Sequence, residues 1–455
     1  MSAECELTPK TVPHVLTAHR RIVTPIPPPE SLPLLEQLRR EEPRCMTGQP
    51  PIVWETAEGF LVRDPYGNQW IDFSSGVLIT NAGHGRKEIA DAITAQAQAP
   101  LLTSYCFPNR ARAALVHRLV ELSPPGLDNV FLLSTGSETV ECAIKLGRAR
   151  GISLGGHGKT IVVSFDRAFH GRTLGSQMIG GFPALKEWIA NLDPGMVQVP
   201  FPDGYHTPDT DFGLFERTLE QKRVAPEAVC AVIMETYQGS GASFAPAEYV
   251  RELRRWCDAH DAVLVMDEVQ AGFGRTGPFW GFEHYGIVPD LMCLGKGISS
   301  SLPISAIIGR RKIMDLFGPG SMTSTHSGNP VCCAAALANI ELLLAEDLPG
   351  NSRRVGEALH KELGRIAKRF EDRIGAVHGK GLAVGIHCRT AKDGKPDGEL
   401  ARKVVEGCVE RGVMLFNPVG VGGSTIKICP PLCITEDASL EAAGVVEEAF
   451  EAALD

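Results

Sequence analysis

Lys296 is the residue of this 455-residue sequence whose surroundings most strongly suggest chemistry. It follows the apolar run Leu291–Leu294, and Gly295 and Gly297 stand on either side of it. Burial at the end of a strand lowers the pKa of a lysine, and the neutral amine is a nucleophile able to form a Schiff base. An ordinary solvated lysine in a strand-to-loop turn has the same local sequence. The choice between these interpretations therefore depends on other parts of the chain.

Asp267 directly follows the apolar run Val263–Met266. A carboxylate at the end of a buried strand needs a partner, because an unpaired buried charge is strongly unfavourable. A protonated pyridine nitrogen is one such partner, and the carboxylate would keep that nitrogen charged so that the ring accepts electrons. A helix cap or a structural salt bridge is the alternative.

Two further turns follow predicted strands. Ser134–Thr139 (Ser-Thr-Gly-Ser-Glu-Thr) leads into a helix, where free backbone N–H groups suit a phosphate, although plain N-capping would look the same. In Ala168–Thr173, the flat ring of Phe169 could stack on a ligand, and the Arg172 guanidinium could bind a carboxylate or phosphate. The alternative is a core phenylalanine and a surface arginine. Taken together, the phosphate turn, the aromatic ring, the buried aspartate and the lysine predict a site for pyridoxal 5′-phosphate.

The elements that must position these residues alternate between apolar strands and helices. Fully apolar strands in such a pattern predict a mostly parallel sheet covered on both faces. The predicted strands are Val130–Ser134, Ile161–Phe165, Val197–Phe201, Val229–Met234, Ala262–Met266, Leu291–Leu294 and Ile304–Ile308. We expect three parts: an N-terminal arm with strands that join a small domain (1–75), a large cofactor-binding domain (76–340) and a C-terminal small domain (341–455).

Composition favours an intracellular enzyme. Hydrophobic residues make up 44% and charged residues 22%, and the net charge of −9 gives no indication of a nucleic-acid or membrane partner. The N-terminal residues lack the apolar stretch of a secretory signal. The 13 cysteines include no Cys-x-x-Cys pair, which predicts reduced thiols in the cytoplasm, without disulfides or a metal site.

From about residue 50 to its end, the chain resembles the class III (ω-amino acid type) aminotransferases of PLP fold type I. The resemblance is carried by Asp267–Gly277 (Asp-Glu-Val-Gln-Ala-Gly-Phe-Gly-Arg-Thr-Gly), by Lys296 and by Ser324–Pro330 (Ser-Thr-His-Ser-Gly-Asn-Pro). It implies an α/β fold: a large domain with a mostly parallel seven-stranded sheet, and a smaller α+β domain built from both chain ends.

The resemblance also implies roles for individual residues. Lys296 would form the Schiff base and carry the substrate's α-proton, and Asp267 would hold the pyridine nitrogen. Eight further residues would contact the cofactor: Gly136, Ser137 and, from the partner subunit, Thr325 at the phosphate, Phe169 and Val269 on the ring faces, Gln270 at the ring hydroxyl, and His170 and Glu235 nearby. A site that needs Thr325 of the partner subunit implies a homodimer or larger assembly.

Four residues would contact the substrate: Val77, Arg172, Ser240 and Lys427. Arg172 matches an arginine that holds a distal carboxylate in several members. Ser240 stands where many members have a glutamate, and Lys427 where they have the arginine that binds the α-carboxylate. Lysine keeps the positive charge but cannot form the bidentate hydrogen bonds of an arginine guanidinium. Alternatively Lys427 faces solvent, since a strand residue can point either way.

These features predict an aminotransferase that moves an amino group from an amine or ω-amino acid to a keto acid. The departures at 240 and 427 keep two alternatives open, since the same lysine and electron sink serve other reactions. One is a lyase that eliminates from a phosphorylated or phosphonate amine, and the other is a racemase. A non-catalytic binding protein is disfavoured, because Lys296 and Asp267 are both present.

Overall fold

The computed structural model describes residues 6–455, which form two units. We call them the small unit (residues up to 86, 240–242 and 348–455) and the large unit (87–239 and 243–347). No helix in the described part of the chain is long and apolar enough to cross a membrane.

The described N-terminal part of the small unit contains five strands, two short 3-10 helices and two segments named α1 and α2. The strands are short and antiparallel, in the order β1-β2-β5-β4-β3. The elements are β1 (Val15–Leu16), β2 (Arg21–Ile22), α1 (Leu32–Glu41), β3 (Thr56–Glu58), β4 (Leu61–Arg63), β5 (Gln69–Asp72) and α2 (Ser75–Leu78), which is a left-handed turn.

The large unit is built on a seven-stranded sheet with the order β6-β12-β11-β10-β9-β7-β8. Only β12 runs against the others, so the prediction of a mostly parallel sheet is confirmed. The strands are β6 (Asn129–Leu133), β7 (Ile161–Phe165), β8 (Met196–Val199), β9 (Val229–Glu235), β10 (Val263–Asp267), β11 (Leu291–Leu294) and β12 (Ser305–Gly309).

Helices cover this sheet, as a buried parallel sheet requires. The longest helix of the large unit, α5, packs against strands β9 to β12 and buries Val140, Ala143 and Leu146 in the core. The helices are α3 (Lys87–Gln98), α4 (Arg110–Leu122), α5 (Gly136–Gly155), α6 (Leu174–Ile179), α7 (Gly213–Gln221), α8 (Ala247–Ala259), α9 (Arg311–Met314) and α10 (Pro330–Ala345).

The C-terminal part of the small unit forms an antiparallel sheet, β13-β14-β16. Strand β15 instead pairs in parallel with β5, so both chain ends build this unit, as predicted. The elements are α11 (Leu348–Arg369), β13 (Ile374–Lys380), β14 (Ala383–Cys388), α12 (Gly398–Glu410), β15 (Val413–Met414), β16 (Thr425–Ile428) and α13 (Glu436–Leu454).

Candidate active site

The candidate catalytic residues of the large unit lie where neighbouring strands end. Glu235 is the last residue of β9, Asp267 is the last of β10, and the two are paired in the sheet. Lys296 comes two residues after β11, the next strand on the other side of β10. Parallel strands end at a common edge, where α/β sheets bind their ligands. The topology therefore brings three ionisable side chains together.

These residues line a cavity of about 130 Å³. Nine of the ten residues predicted to contact the cofactor border it, and Thr325 does not. Two residues that the sequence analysis did not name, Gly171 and Tyr237, complete the lining. The full lining is Gly136, Ser137, Phe169, His170, Gly171, Glu235, Tyr237, Asp267, Val269, Gln270 and Lys296.

Lys296 has the properties expected of a nucleophilic amine. Burial lowers its pKa, and the charges of Asp267 and Glu235 only partly oppose this effect. Its backbone is in the left-handed region, with φ of 43°, a conformation that costs a residue other than glycine about 1–3 kcal/mol. Such strain persists only where the surrounding structure imposes it, and it is common at functional sites.

Asp267 is held as an oriented acceptor. Its Oδ2 lies 2.8 Å from Nδ1 of His170, and its Oδ1 accepts a hydrogen bond from the Val269 N–H at 3.1 Å. Burial lowers the pKa of His170, but the hydrogen bond to Asp267 and the charges of Asp267 and Glu235 outweigh it, so the net shift is upward. His170 therefore favours its charged form, in which Nδ1 donates the hydrogen bond that Asp267 Oδ2 accepts.

Glu235 fixes the position of the aromatic ring of Phe169. Its Oε2 accepts a hydrogen bond from the Phe169 N–H at 3.0 Å, and its Oε1 accepts one from the Gly239 N–H at 2.9 Å. Burial raises the pKa of Glu235 to about 7, against the lowering effect of the His170 charge and these two hydrogen bonds. This carboxyl group thus joins the segment after β7 to the end of β9.

The start of helix α5 borders the cavity and presents a helix N-terminus to it. Thr135 caps the helix by accepting a hydrogen bond from the Glu138 N–H, and the Glu138 carboxylate accepts one from the Thr135 N–H, so a capping box fixes the first turn. Gly136 and Ser137 begin this 20-residue helix and line the cavity. Ser137 Oγ also accepts a hydrogen bond from the Arg172 N–H at 3.2 Å. The positive end of the helix dipole thus faces the space where a phosphate would bind.

The lining residues fit pyridoxal 5′-phosphate. The backbone N–H groups at the start of α5 could bind its phosphate, and Phe169 and Val269 offer apolar surfaces for its ring. The Asp267 carboxylate could pair with the ring nitrogen, and Lys296 supplies an amine for the aldehyde. Within residues 6–455 no group of His, Cys, Asp or Glu side chains is arranged to hold a metal ion.

Two of the predicted residues of the large unit lie outside this cavity. Arg172 is exposed, and its guanidinium lies 5.6 Å from the centre of the Phe169 ring, in a cation–π contact. Thr325 is also exposed, in the segment before α10. The role predicted for it belongs to the partner subunit and stays a prediction.

The small unit carries the other three predicted substrate residues. Val77 is 42% exposed and belongs to α2, whose four residues all have φ between 50° and 66°. A left-handed turn containing valine is strained, and Asp72 anchors its start by accepting hydrogen bonds from the Ser74 and Ser75 N–H groups. Lys427, on β16, is only 2% exposed, so the alternative that it points to solvent is wrong.

Glu268, next to Asp267, is a buried carboxyl group that the sequence analysis did not single out. It accepts hydrogen bonds from the Thr236 hydroxyl and from the N–H groups of Gly281 (2.7 Å) and Phe282 (2.9 Å). Burial raises its pKa to about 7. Because the folded protein then binds more protons than the unfolded chain, stability falls as pH rises from about 4.5 to about 7.

We therefore expect Glu268→Gln to flatten the pH dependence of stability. The slope of the unfolding free energy between pH 5 and 7 should change by up to about 1.4 kcal/mol per pH unit, measured by urea unfolding. Below pH 5 the variant should be less stable than the wild type, since its amide leaves one N–H of the 281–282 pair without an acceptor. Glu283→Gln is the matched control, because Glu283 is exposed and also accepts a backbone N–H. Equal slopes in the two variants would contradict this account.

Comparison with known proteins agrees with the geometry. The family model for class-III aminotransferases matches residues 45–450. A 4-aminobutyrate aminotransferase from Mycobacterium leprae is 33% identical, covering 92% of this chain and 95% of its own. An alanine/serine racemase from Pyrococcus horikoshii is 32% identical, with 96% and 94% covered. A transaminase structure from the marine bacterium Virgibacillus superposes with a TM-score of 0.83 at 27% identity, covering 92% and 95%.

The family match spans the strand ends that carry Glu235, Asp267 and Lys296, as well as both units. The chain belongs to the class-III aminotransferase family, whose members are enzymes that use pyridoxal 5′-phosphate.

Proposed function

We propose that this enzyme moves an amino group from an amine or ω-amino acid to a keto acid, with Lys296 as the residue that binds the cofactor covalently. The observation that carries the proposal is the convergence of the Lys296 amine, the Asp267 carboxylate and the start of α5 on one cavity. The M. leprae relative, named a 4-aminobutyrate aminotransferase, supports an ω-amino acid as donor.

When bound, pyridoxal 5′-phosphate supplies an electron sink for the bond that breaks at the substrate's α-carbon. Asp267 maintains the charge of that sink by holding a proton at the ring nitrogen, and His170 orients Asp267. Gly136 and Ser137 bind the phosphate. Lys296, whose pKa is lowered by burial, is neutral more often than a solvated lysine and can take up the α-proton at Nζ.

The remaining cofactor contacts are proposed from side-chain position. Phe169 and Val269 would pack on the faces of the ring, and Gln270 would bind its hydroxyl. Gln270 lies directly against Gly239, where an added Cβ would collide with its amide. Glu235 fixes the Phe169 backbone and so keeps that ring in place.

We propose a homodimer or larger assembly, to which Thr325 of the partner subunit contributes a phosphate contact. The exposed apolar side chains of the segment 101–107 support this assembly, since Leu102 is 57% and Phe107 is 74% exposed. The segment is joined to the region around Thr325, because Asn329 donates a hydrogen bond to the Leu102 carbonyl at 2.7 Å. A second copy would cover this apolar surface.

The acidic substrate is proposed to carry two carboxylates. Arg172, beyond the Phe169 ring, is a cation for a distal carboxylate. Lys427 is a buried cation for a second carboxylate, with Ser240 and Val77 as further contacts. A cytoplasmic location is part of the proposal, and the free thiols of the cysteines between residues 6 and 455 support it.

Removing the charge of Lys427 should weaken binding of an acidic substrate. We expect Lys427→Met to raise the KM for an acidic acceptor about 10- to 100-fold, the range of a hydrogen bond to a charged group, and to leave cofactor affinity unchanged. Lys427→Arg keeps the charge and is the matched control. An unchanged KM in Lys427→Met would contradict substrate contact by this residue.

The P. horikoshii relative, named an alanine/serine racemase, favours a racemase as the second candidate function. Incubation of the holoenzyme with single amines, without a keto acid, separates the candidates. An aminotransferase yields one equivalent of carbonyl product per active site and then stops. A racemase inverts the donor over many turnovers, and a lyase releases ammonia or phosphate over many turnovers. Either of the last two results would overturn the proposal.

A further inference from the structure

We infer that His387 is a positioning residue for substrate recognition, which holds the segment Ser240–Ala242 on the sheet face that carries Lys427. The inference rests on the proposed function, in which Ser240 and Lys427 contact the substrate. All the residues concerned belong to the small unit.

The pairing of β14 with β16 places four residues on one face of the antiparallel sheet. Gly385 is opposite Lys427, and His387 is opposite Thr425. Residues directly opposite each other share a face, and so do residues two positions apart along a strand. His387 and Thr425 are each 1% exposed and Lys427 is 2% exposed, so this face is covered.

The segment Ser240–Ala242 lies against this face. Nε2 of His387 lies 3.1 Å from the carbonyl oxygen of Gly241. An added Cβ at Gly385 would collide with the same carbonyl. A Cβ at Gly420 would lie 3.0 Å from the carbonyl oxygen of Ser240. The absence of side chains at 385 and 420 therefore lets the segment approach the sheet closely.

The hydrogen bonds of His387 fix the orientation of its ring. A carbonyl oxygen can only accept, so Nε2 carries the proton that is donated to Gly241. In the neutral ring Nδ1 is then the acceptor, and the Thr425 hydroxyl donates to it at 3.2 Å. The chain of hydrogen bonds from Thr425 through His387 to Gly241 thus connects β16, two residues before Lys427, to the residue after Ser240.

This connection sets the distance between Ser240 and Lys427. Without it, the Gly241 carbonyl loses its buried donor and the segment is freer to move. The expected consequence is weaker recognition of the substrate, with the covalent attachment of the cofactor at Lys296 unaffected.

The test compares His387→Leu with His360→Leu in the holoenzyme. His360 is the matched control, because its Nε2 makes the same kind of hydrogen bond, at 3.1 Å, to the carbonyl of Gly381 and not to the Ser240 segment. Amide hydrogen exchange of the 239–243 peptide should be about three- to tenfold faster in His387→Leu, the range for one lost hydrogen bond, and unchanged in His360→Leu. The KM for an acidic acceptor should rise by a similar factor at unchanged kcat, with the absorbance of the lysine–cofactor linkage retained.

Two further variants keep the test independent of folding. Thr425→Val removes only the outer hydrogen bond and should give a smaller effect in the same direction. His387→Gln retains an N–H donor for Gly241 and should restore part of the wild-type KM. Unchanged exchange in His387→Leu, or faster exchange with unchanged KM, would overturn the inference. If the proposed function itself fails, the wild type transfers no amino group from any donor, while the exchange result stands.

Discussion

Replacement of Lys296 by alanine should reduce the rate of amino transfer at least about 10⁴-fold, while the cofactor still binds. The side chain supplies both the covalent attachment and the base that moves the α-proton, and the base alone accounts for about 10²- to 10⁴-fold. The absorbance of the lysine–cofactor linkage should disappear, and equilibrium dialysis should still detect cofactor bound at the start of α5 and at Asp267.

Lys186→Ala is the matched control for Lys296→Ala. Burial also lowers the pKa of Lys186, but its amine donates to the carbonyls of Met178 and Gly180 and does not line the cavity. This variant should keep the absorbance of the linkage. If Lys296→Ala kept it as well, another residue would be the attachment point.

Asparagine at position 267 should reduce kcat by about 10³-fold and leave the Lys296 linkage in place. The amide is nearly the same shape as the carboxylate but carries no charge, so it cannot keep a proton at the ring nitrogen. Loss of a preorganised electrostatic partner of this kind typically costs about 10²- to 10³-fold in rate. The change also removes the charge that raises the pKa of His170, so that side chain should lose its proton at lower pH. Single-turnover kinetics and NMR titration of His170 measure the two effects.

Asp290→Asn tests whether loss of a buried charge alone explains such a result. Asp290 is also buried, and it forms ion pairs with Arg254 and Arg310 at 2.7 and 2.8 Å, outside the cavity. Its replacement should reduce stability and leave kcat within about threefold of the wild type. A loss below about tenfold in Asp267→Asn would contradict the role proposed for Asp267.

The central sheet could be predicted from the sequence because most of its strands are buried on both faces. Such strands are continuous apolar runs, and all seven were located with small errors at their ends. The positions of Asp267 and Lys296 followed from these runs, since each lies at or just after a strand end. That nine predicted residues line one cavity agrees with the family resemblance, whereas their individual roles stay predictions.

Features that depend on distant contacts or weak local patterns were missed. Strand β13 contains two glycines and is only partly buried, so its apolar pattern is weak. Helix α1 lies in the stretch predicted as the N-terminal arm, for which no helix was predicted. Its proline, Pro33, is in the first turn, where a helix tolerates proline. The left-handed turn α2 has no apolar periodicity to reveal it.

The small unit shows most clearly what local sequence cannot reveal. Residues 240–242 pack with it through His387, Gly385 and Gly420, which are far away in the chain. Tyr237 reaches the cavity from the segment between Glu235 and Ser240, in which only those two residues were predicted to contact cofactor or substrate. The division into 1–75, 76–340 and 341–455 stays a prediction.

Tracing the donor nitrogen tests the central claim most directly. The holoenzyme is given a ¹⁵N-labelled ω-amino acid and an unlabelled keto acid, and the acceptor product, the donor and free ammonia are analysed by mass spectrometry. The account predicts that the label appears in the acceptor's amino product, one for one with carbonyl product from the donor, and that Lys296→Ala abolishes this transfer. Label that appears in free ammonia, or stays in a donor of inverted configuration, would contradict it.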